Sequence, residues 1–329
     1  MRVTGVQFLI RKSDFTSRGF AKHVESFYKK SEPGEVLVFP EDIGLLTAFS
    51  AQPKGSIGEV VASLFSENED MVEALSREFG NADQRELLFA SMTARFVNDF
   101  YELFSNLSFD YGVYTIACNN MADFRSFGTE HVPESPHIYN TAFVFGPKGK
   151  EIFRQRKVFL TEMEELLGLS CGKLDDVQTF TIDRIRLGIA TSMDAFSPKY
   201  IARLSGAEVI LQPDANPEKW ASYLENGRWQ PEEWMESAHY LAQRMPSVKH
   251  VVNPMMVGCI ADLEFEGQSS ITKKASKSDT KMAYIGNCPE TGFASLLPVN
   301  GYDVTRAMPR EKIRPDGLTF PERTLSVDI

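Results

Sequence analysis

The stretch IYNTAFVFGPKGKEIFRQRKVFL, residues 138–160, decides how this chain folds. Two β-rich arms flank Gly146-Pro147-Lys148-Gly149, and this combination of glycine and proline is a strong turn signal. The stretch therefore predicts a β-hairpin. Together with mixed connections elsewhere, the hairpin favours an α+β layered sandwich over a doubly wound parallel sheet.

Strand-like and helix-like stretches alternate on both sides of this hairpin. Apolar runs predict strands over 2–10, 35–42, 111–120, 208–213 and 249–260, with a strand pair or extended stretch over 182–192. Apolar residues at helical spacing predict helices over 18–30, 86–107, 197–207 and 232–245. We expect one domain at 1–300. Residues 301–329, rich in proline and charge, predict an extended C-terminal arm.

Composition excludes several classes of protein. The 329 residues carry a net charge of −10, so nothing suggests a nucleic-acid binder, which would show a basic face. No apolar run is long enough to cross a membrane, and the start MRVTGVQFLI lacks the features of a signal peptide. Four cysteines without a CxxC pair argue against a zinc site or a disulfide framework. We therefore expect a cytoplasmic protein with no membrane or nucleic-acid partner.

Three polar side chains stand where apolar strands end, and each has two interpretations. Glu41 follows VLVFP, where lost hydration would suit a carboxylate to base chemistry; the alternative is a surface turn or a helix cap. Lys157 is either an oxyanion anchor or an edge-strand lysine. Ser192 ends the run LGIATS. It is either a nucleophile, with the Met193 backbone N–H as oxyanion donor, or a turn residue or helix cap.

The order and spacing of these three residues along the chain favour the catalytic interpretation. FPE, then the segment Tyr139–Leu160, then LGIATSMDAFSP resemble the nitrilase superfamily of carbon–nitrogen hydrolases over roughly residues 1–295. That family has similar sequences at two further positions, which here read AEVILQPDANP (207–217) and GQSSI (267–271). The resemblance implies an αββα four-layer sandwich, with two mixed sheets flanked by helices. It also implies a homodimer or higher homo-oligomer formed through helices, with the arm 301–329 wrapping a partner.

The same resemblance implies a small-molecule amide, nitrile or carbamoyl substrate and no metal or organic cofactor. The family uses a Glu–Lys–Cys triad, which places Glu41 as general base, Lys157 as electrostatic anchor and Ser192 at the nucleophile position. A second glutamate helps to orient the lysine and substrate. The segment KVFLTEMEE offers three candidates for it, of which we favour Glu164 over Glu162 and Glu165. Asp194 is expected to anchor the nucleophile turn.

Serine at position 192 changes the expected activity. An aliphatic hydroxyl is a far weaker acid than a thiol, and none of the five histidines lies in a segment that matches the family's active-site motifs. We expect an impaired or inactive form. The serine is a deliberate replacement of cysteine, a natural loss that leaves a non-catalytic small-molecule binder or scaffold, or a working nucleophile. A plain oligomerisation module is a third class.

Other residues have weaker signals. None of the four cysteines follows the strand 187–191, so we expect buried, small apolar roles for all of them: Cys118, Cys171, Cys259 and Cys288. Substrate specificity is expected in loops over 45–70, 121–138 and 215–232. Three aromatic residues in the last loop line a pocket or belong to a core or interface: Trp220, Tyr223 and Trp229.

Overall fold

A computed structural model of the chain describes residues 1–275, 292–300 and 317–329. The described strands are β1 (Arg2–Leu9), β2 (Val36–Val38), β3 (Tyr114–Phe127), β4 (Glu130–Phe145), β5 (Glu151–Arg156), β6 (Phe180–Ile182), β7 (Ile185–Ile189), β8 (Val209–Leu211), β9 (Asp214–Ala215), β10 (His250–Asn253), β11 (Met255–Ile260), β12 (Leu263–Phe265), β13 (Ser270–Lys273), β14 (Phe293–Leu296) and β15 (Arg323–Asp328). The described α-helices are α1 (Ser17–Tyr28), α2 (Ile57–Glu67), α3 (Glu69–Phe79), α4 (Gln84–Ser91), α5 (Thr93–Phe96), α6 (Glu102–Tyr111), α7 (Glu162–Leu166), α8 (Pro198–Arg203) and α9 (Gln230–Arg244).

The strands form two mixed sheets. Sheet I has the order β12-β11-β1-β2-β3-β4-β5, with β15 also paired to β1 and β9 to β11. Sheet II has the order β14-β13-β10-β8-β7-β6. The central strands of each sheet run parallel, and the hairpins at the edges run antiparallel.

The sheets pack face to face, and helices cover their outer faces. Aliphatic side chains from both inner faces meet between the sheets, among them Val3 and Ile116 of sheet I and Leu187 and Val252 of sheet II. Helices α1 to α6 bury their apolar faces on sheet I, while α8 and α9 cover sheet II. Each sheet is buried on both faces, which explains the continuous apolar runs of its central strands. The predicted αββα four-layer sandwich is confirmed.

The predicted hairpin is confirmed, with β4 and β5 joined across the turn that contains Gly149, whose φ is +71°. Three other predictions were wrong in detail. The single strand over 249–260 is divided at Pro254, so that β10 joins sheet II and β11 joins sheet I. Proline offers no backbone N–H, so no ladder continues through it. Much of the expected loop 121–138 instead extends the hairpin of β3 and β4.

The third correction concerns the predicted helix over 86–107. The helical run is interrupted at Met92, where α4 ends, and continues through α5, a π-helical turn at Val97–Tyr101 and α6. The Thr93 hydroxyl donates to the Ala90 carbonyl at 2.7 Å, which competes with the helical bond there. Within the described ranges, no helix is both long and apolar enough to cross a lipid bilayer.

The C-terminal residues return to the body of the chain. β15 pairs antiparallel with β1 from Arg2 to Gln7. Residues 301–316 of the expected arm lie outside the described residues, as does Cys288. The expected division at residue 300 and the wrapping of a partner subunit remain predictions.

A buried histidine ties this C-terminal segment to α1. His23 contacts Asp14 through Nδ1 at 2.9 Å and Glu322 through Nε2 at 2.6 Å. Burial lowers the pKa of His23, but its hydrogen bonds to the two carboxylates outweigh that effect and raise the pKa above its ordinary value. The imidazolium therefore stabilises the fold fully below pH 6.5, and this contribution is lost as the pH rises through the folded-state pKa.

We expect the pairing of β15 with β1 to weaken as the pH rises from 6 to 9. Amide protection factors for residues 324–327, from hydrogen exchange corrected for intrinsic rates, measure this pairing. In His23→Gln the protection should be low at both pH values, because a neutral amide cannot pair with two carboxylates. Equal pH dependence in the variant and the parent would contradict this role for His23.

Candidate active site

Three of the predicted residues meet in a buried cluster at one end of the sheets. Lys157 Nζ lies 2.8 Å from Glu41 Oε1 and 2.6 Å from Glu164 Oε2. All three side chains are less than one-tenth exposed. Both carboxylates therefore contact a single ammonium group that water does not reach, and charge-assisted hydrogen bonds are strongest in such surroundings.

Each of these side chains is positioned by the end of an element. Glu41 follows β2 after Phe39-Pro40, and Lys157 comes directly after β5. The turn at Glu41 is completed by Asp42, whose φ of +58° is left-handed and whose carboxylate accepts from the Asn120 amide at 2.9 Å. Aspartate tolerates this conformation better than most residues.

Glu164 is fixed by a capping box at the start of α7. Its carboxylate accepts from the Thr161 backbone N–H at 2.8 Å, and its own N–H donates to the Thr161 hydroxyl at 3.3 Å. Glu162 and Glu165 are exposed, so Glu164 alone of the three candidates reaches the lysine. One carboxylate thus caps a helix and binds Lys157.

Asn140 joins the two glutamates and was missed by the sequence reasoning. Its Nδ2 donates to Glu41 Oε1 at 2.8 Å and to Glu164 Oε1 at 2.9 Å. The Lys157 N–H also donates to the Asn140 carbonyl at 2.8 Å. The sequence did hold one signal for a buried role of Asn140. This polar residue alternates along β4 with Ala142 and Val144, which lie on the same strand face and belong to the core.

Ser192 lies at the turn after β7 and is almost fully buried. Its φ of +47° is unusual for a residue other than glycine, and such backbone strain clusters at functional sites. The Ser192 N–H donates to the Pro213 carbonyl at 3.1 Å, and the nearby Ala215 N–H donates to Glu41 Oε2 at 3.3 Å. Among the described residues, the Ser192 hydroxyl makes no hydrogen bond to Glu41 or Lys157.

Asp194 connects the serine turn to the lysine segment. Its Oδ1 accepts from the Phe159 N–H at 2.9 Å and from the Val158 N–H at 3.1 Å. These are the two residues after Lys157, so Asp194 holds the two turns together. Met193, between Ser192 and Asp194, is partly exposed, and its backbone N–H remains a predicted oxyanion donor.

Negative groups outnumber positive ones in this region, because Glu41, Asp42 and Glu164 all lie near the single ammonium group of Lys157. Burial raises the pKa of Glu41 well above its usual range and that of Asp42 to about 6. Burial also lowers the pKa of Lys157, but Glu41 and Glu164 outweigh it and raise that pKa overall. The lysine stays charged, and the raised pKa makes Glu41 a stronger base than an ordinary carboxylate.

Asp214 is a further buried acid of this region, and the sequence patterns did not point to it. Its Oδ2 accepts from Asn253 Nδ2 at 2.6 Å and Gln212 Nε2 at 3.0 Å, while Oδ1 is buried without a partner among the described residues. The Ser192 backbone N–H faces the same carboxyl group. Burial raises the pKa of Asp214 to about 7.

This shift predicts a pH dependence of stability. The folded-state pKa exceeds the ordinary 3.8, so the native state holds the proton more tightly and stability falls as the pH rises towards about 7. Asp214→Asn removes this loss, which is at most about 4 kcal/mol. Urea unfolding at pH 5 and pH 8 measures it, with the exposed Asp328→Asn as control. Parallel profiles for Asp214→Asn and the parent would contradict the assignment.

The remaining candidates lie elsewhere. Cys118 is buried in β3, as expected, but Cys171 and Cys259 are exposed, so the prediction of buried roles was wrong for both. Trp220 and Trp229 belong to a buried core cluster, and Tyr223 is exposed. No group of three or more His, Cys, Asp or Glu side chains is arranged to hold a metal ion within the described part of the chain.

Comparison with known proteins agrees with the class of fold described above. Solved structures of the amidase from Nesterenkonia sp. AN1 superpose on the whole chain at 14% identity. A cysteine-to-serine mutant from the nitrilase superfamily has a TM-score of 0.58, with 91% of its own chain covered. The NitN amidase after tag removal has a TM-score of 0.57, with 92% covered. At this identity the likeness establishes the fold.

The family itself follows from the sequence. The model of the carbon-nitrogen hydrolase family matches residues 94–274, more than half of the chain. The chain belongs to the carbon–nitrogen hydrolase family. The match includes Lys157, Glu164 and Ser192, while Glu41 lies before it. No curated protein sequence gives a significant match.

Proposed function

We propose that the chain hydrolyses non-peptide carbon–nitrogen bonds of a small amide, nitrile or carbamoyl compound by the Glu–Lys–nucleophile mechanism of its family. The observation that carries the proposal is the buried contact of Lys157 with both Glu41 and Glu164. A lysine used only to protect a sheet edge would keep its ammonium group in water.

The residues divide the chemistry among them. Glu41 accepts the proton of the nucleophile at position 192, which attacks the carbonyl or nitrile carbon. Lys157 and the Met193 N–H stabilise the negative charge that develops on the substrate oxygen or nitrogen. For an amide, the proton on Glu41 passes to the leaving nitrogen, ammonia or an amine departs, and water releases the acyl group from the enzyme.

Glu164 and Asn140 hold this arrangement in place. Glu164 binds the ammonium of Lys157, and Asn140 donates to both carboxylates. Their hydrogen bonds restrict the lysine before substrate arrives, so less reorganisation is needed at the transition state. In this proposal Asp194 keeps the nucleophile turn in register with Lys157.

Serine at the nucleophile position favours a second candidate function. Glu41 abstracts a proton from a hydroxyl far less readily than from a thiol, so this form is slow or inactive in our proposal. A non-catalytic member of the fold that binds the same small molecules would keep the cluster and need no thiol.

The test separates the two functions. Ser192→Cys is incubated with a panel of short-chain amides, nitriles and carbamoyl compounds and examined by intact-mass spectrometry for a covalent acyl adduct. Adduct formation that is abolished by adding Glu41→Gln supports the hydrolase. Binding of panel members in calorimetry to both Ser192 and Cys forms, without adduct or ammonia in either, supports the non-catalytic binder.

A further inference from the structure

An apolar pocket lies beside the proposed site and is not part of it. It has a volume of about 400 Å³ and is formed by α2, α4, α7, the helical turn Ile43–Ala48 and the adjacent ends of β11 and β12. None of its lining residues belongs to the Glu41–Lys157 cluster. This volume falls in the range of pockets that bind small molecules.

The lining favours a neutral, apolar ligand. Among the described residues, Arg85 is the single charged residue of the lining. Its guanidinium is already bound by the Asp83 carboxylate, at 2.6 and 2.9 Å, and by the Leu166 carbonyl at 2.8 Å. Within the described part of the chain, the lining therefore has no free cation to receive an anionic head group and no carboxylate to receive a cationic one.

The short helix α7 separates this pocket from the lysine. Met163, Leu166 and Leu167 share one face of the helix, by their spacing of three and four residues, and all three line the pocket. The neighbouring Glu164 carboxylate is bound to Lys157. Leu166 is 67% exposed, which leaves a large aliphatic side chain in contact with water beside the pocket.

We propose that this pocket binds a neutral, apolar small molecule, and that its occupancy adjusts Glu164 through α7. The ligand covers the apolar face of α7 and restricts the helix whose capping box holds the Glu164 carboxylate. Binding does not depend on the proposed hydrolase function. The effect on hydrolysis does rest on it.

Binding is tested with 1-octanol as the probe and the full chain labelled with ¹³C at its methionine methyl groups. Met92 and Met163 line the pocket, whereas Met121 and Met193 do not. We expect saturable shifts of the Met92 and Met163 signals alone. Shifts of all four signals in proportion to octanol would overturn the proposal, because they report a general solvent effect.

Variants at the pocket make the test specific. A Cβ on Gly58 would meet only the Ser56 hydroxyl, at 4.0 Å, so Gly58→Leu has room to add bulk at the rim and Gly58→Ala is its matched control. Val61→Trp adds bulk from α2 independently. Gly58→Leu and Val61→Trp should weaken octanol binding roughly tenfold or more, and Gly58→Ala much less. Unchanged binding in both bulky variants would overturn the site.

Two further measurements complete the test. In Ser192→Cys, octanol should change kcat for a short amide without raising KM, since it does not compete at the lysine; a rise in KM alone would overturn the coupling through α7.

Sedimentation velocity checks for a second copy in the pocket. Dissociation of a dimer by Gly58→Leu, with no octanol binding in the parent, would assign the surface to an interface and overturn the ligand proposal.

Discussion

Ser192→Cys should hydrolyse a good amide or nitrile substrate about 10⁴ to 10⁶ times faster than the parent chain, by analogy with the activity lost when one member of a catalytic triad is removed. The change replaces one atom at a position that the fold already presents through the left-handed turn at Ser192. A thiol, with an ordinary pKa of about 8.5, loses its proton far more readily than an aliphatic alcohol. Glu41, whose pKa is raised by burial, is suited to accept it.

Ammonia release at a fixed substrate concentration measures this gain. The exposed thiols Cys171 and Cys259 can react on their own, so both are changed to serine in the parent and in the variant. Adding Lys157→Met to the cysteine variant should remove most of the gain, because the developing negative charge loses its cation. Equal rates for the serine and cysteine forms across the whole panel would count against the mechanism.

Lys157→Met should lower the free energy of unfolding by about 3 to 5 kcal/mol at neutral pH. Lys157 is the cation that both Glu41 and Glu164 contact, and all three side chains are buried. Removing it leaves two carboxyl groups in a region of low dielectric, with only the Asn140 amide, the Thr161 hydroxyl and backbone N–H groups as donors. Methionine has a similar length, so the packing of the lysine stem is largely kept.

The pH dependence of this loss distinguishes charge from packing. The pKa of Glu41 is already raised, and it rises further without the ammonium, so lowering the pH neutralises Glu41 in the variant. The deficit relative to the parent should therefore shrink from pH 8 to pH 5 in urea unfolding experiments. Adding Glu41→Gln and Glu164→Gln should recover much of the loss at pH 8.

Lys249→Met provides the matched control. Lys249 is also paired to a glutamate, at 2.6 Å from Glu208, but it is 60% exposed. Water and salt screen such a pair, so its removal should change stability little at any pH. A deficit for Lys157→Met that does not vary with pH would indicate lost packing and would contradict the electrostatic account.

Much of the fold was accessible from the sequence, because its signals are local. The turn Gly146–Gly149 between two β-rich arms predicted the hairpin, and apolar runs located most central strands. The division at Pro254 was missed because a run of apolar residues carries no information on which sheet each half joins. Both halves are buried, and burial is what the pattern reports.

The candidate site was accessible only in part. The order of the motifs along the chain identified Glu41, Lys157 and Ser192 as candidates. The segment KVFLTEMEE limited the second glutamate to three residues. Choosing among them required α7, which buries one carboxylate and exposes the other two. Asn140 and Asp214 were missed because a polar residue in a strand looks the same whether it faces water or a buried charge.

The sequence by itself determined the order of strands and turns, the polar residues at the strand ends and the absence of a thiol at position 192. The tertiary structure alone decided which of these groups share one low-dielectric space. Glu41 and Lys157 are 116 residues apart, and Asn140 is 99 residues from Glu41. Their pKa shifts and hydrogen bonds come from burial and from neighbours brought close by sheet packing, which no local pattern of residues encodes.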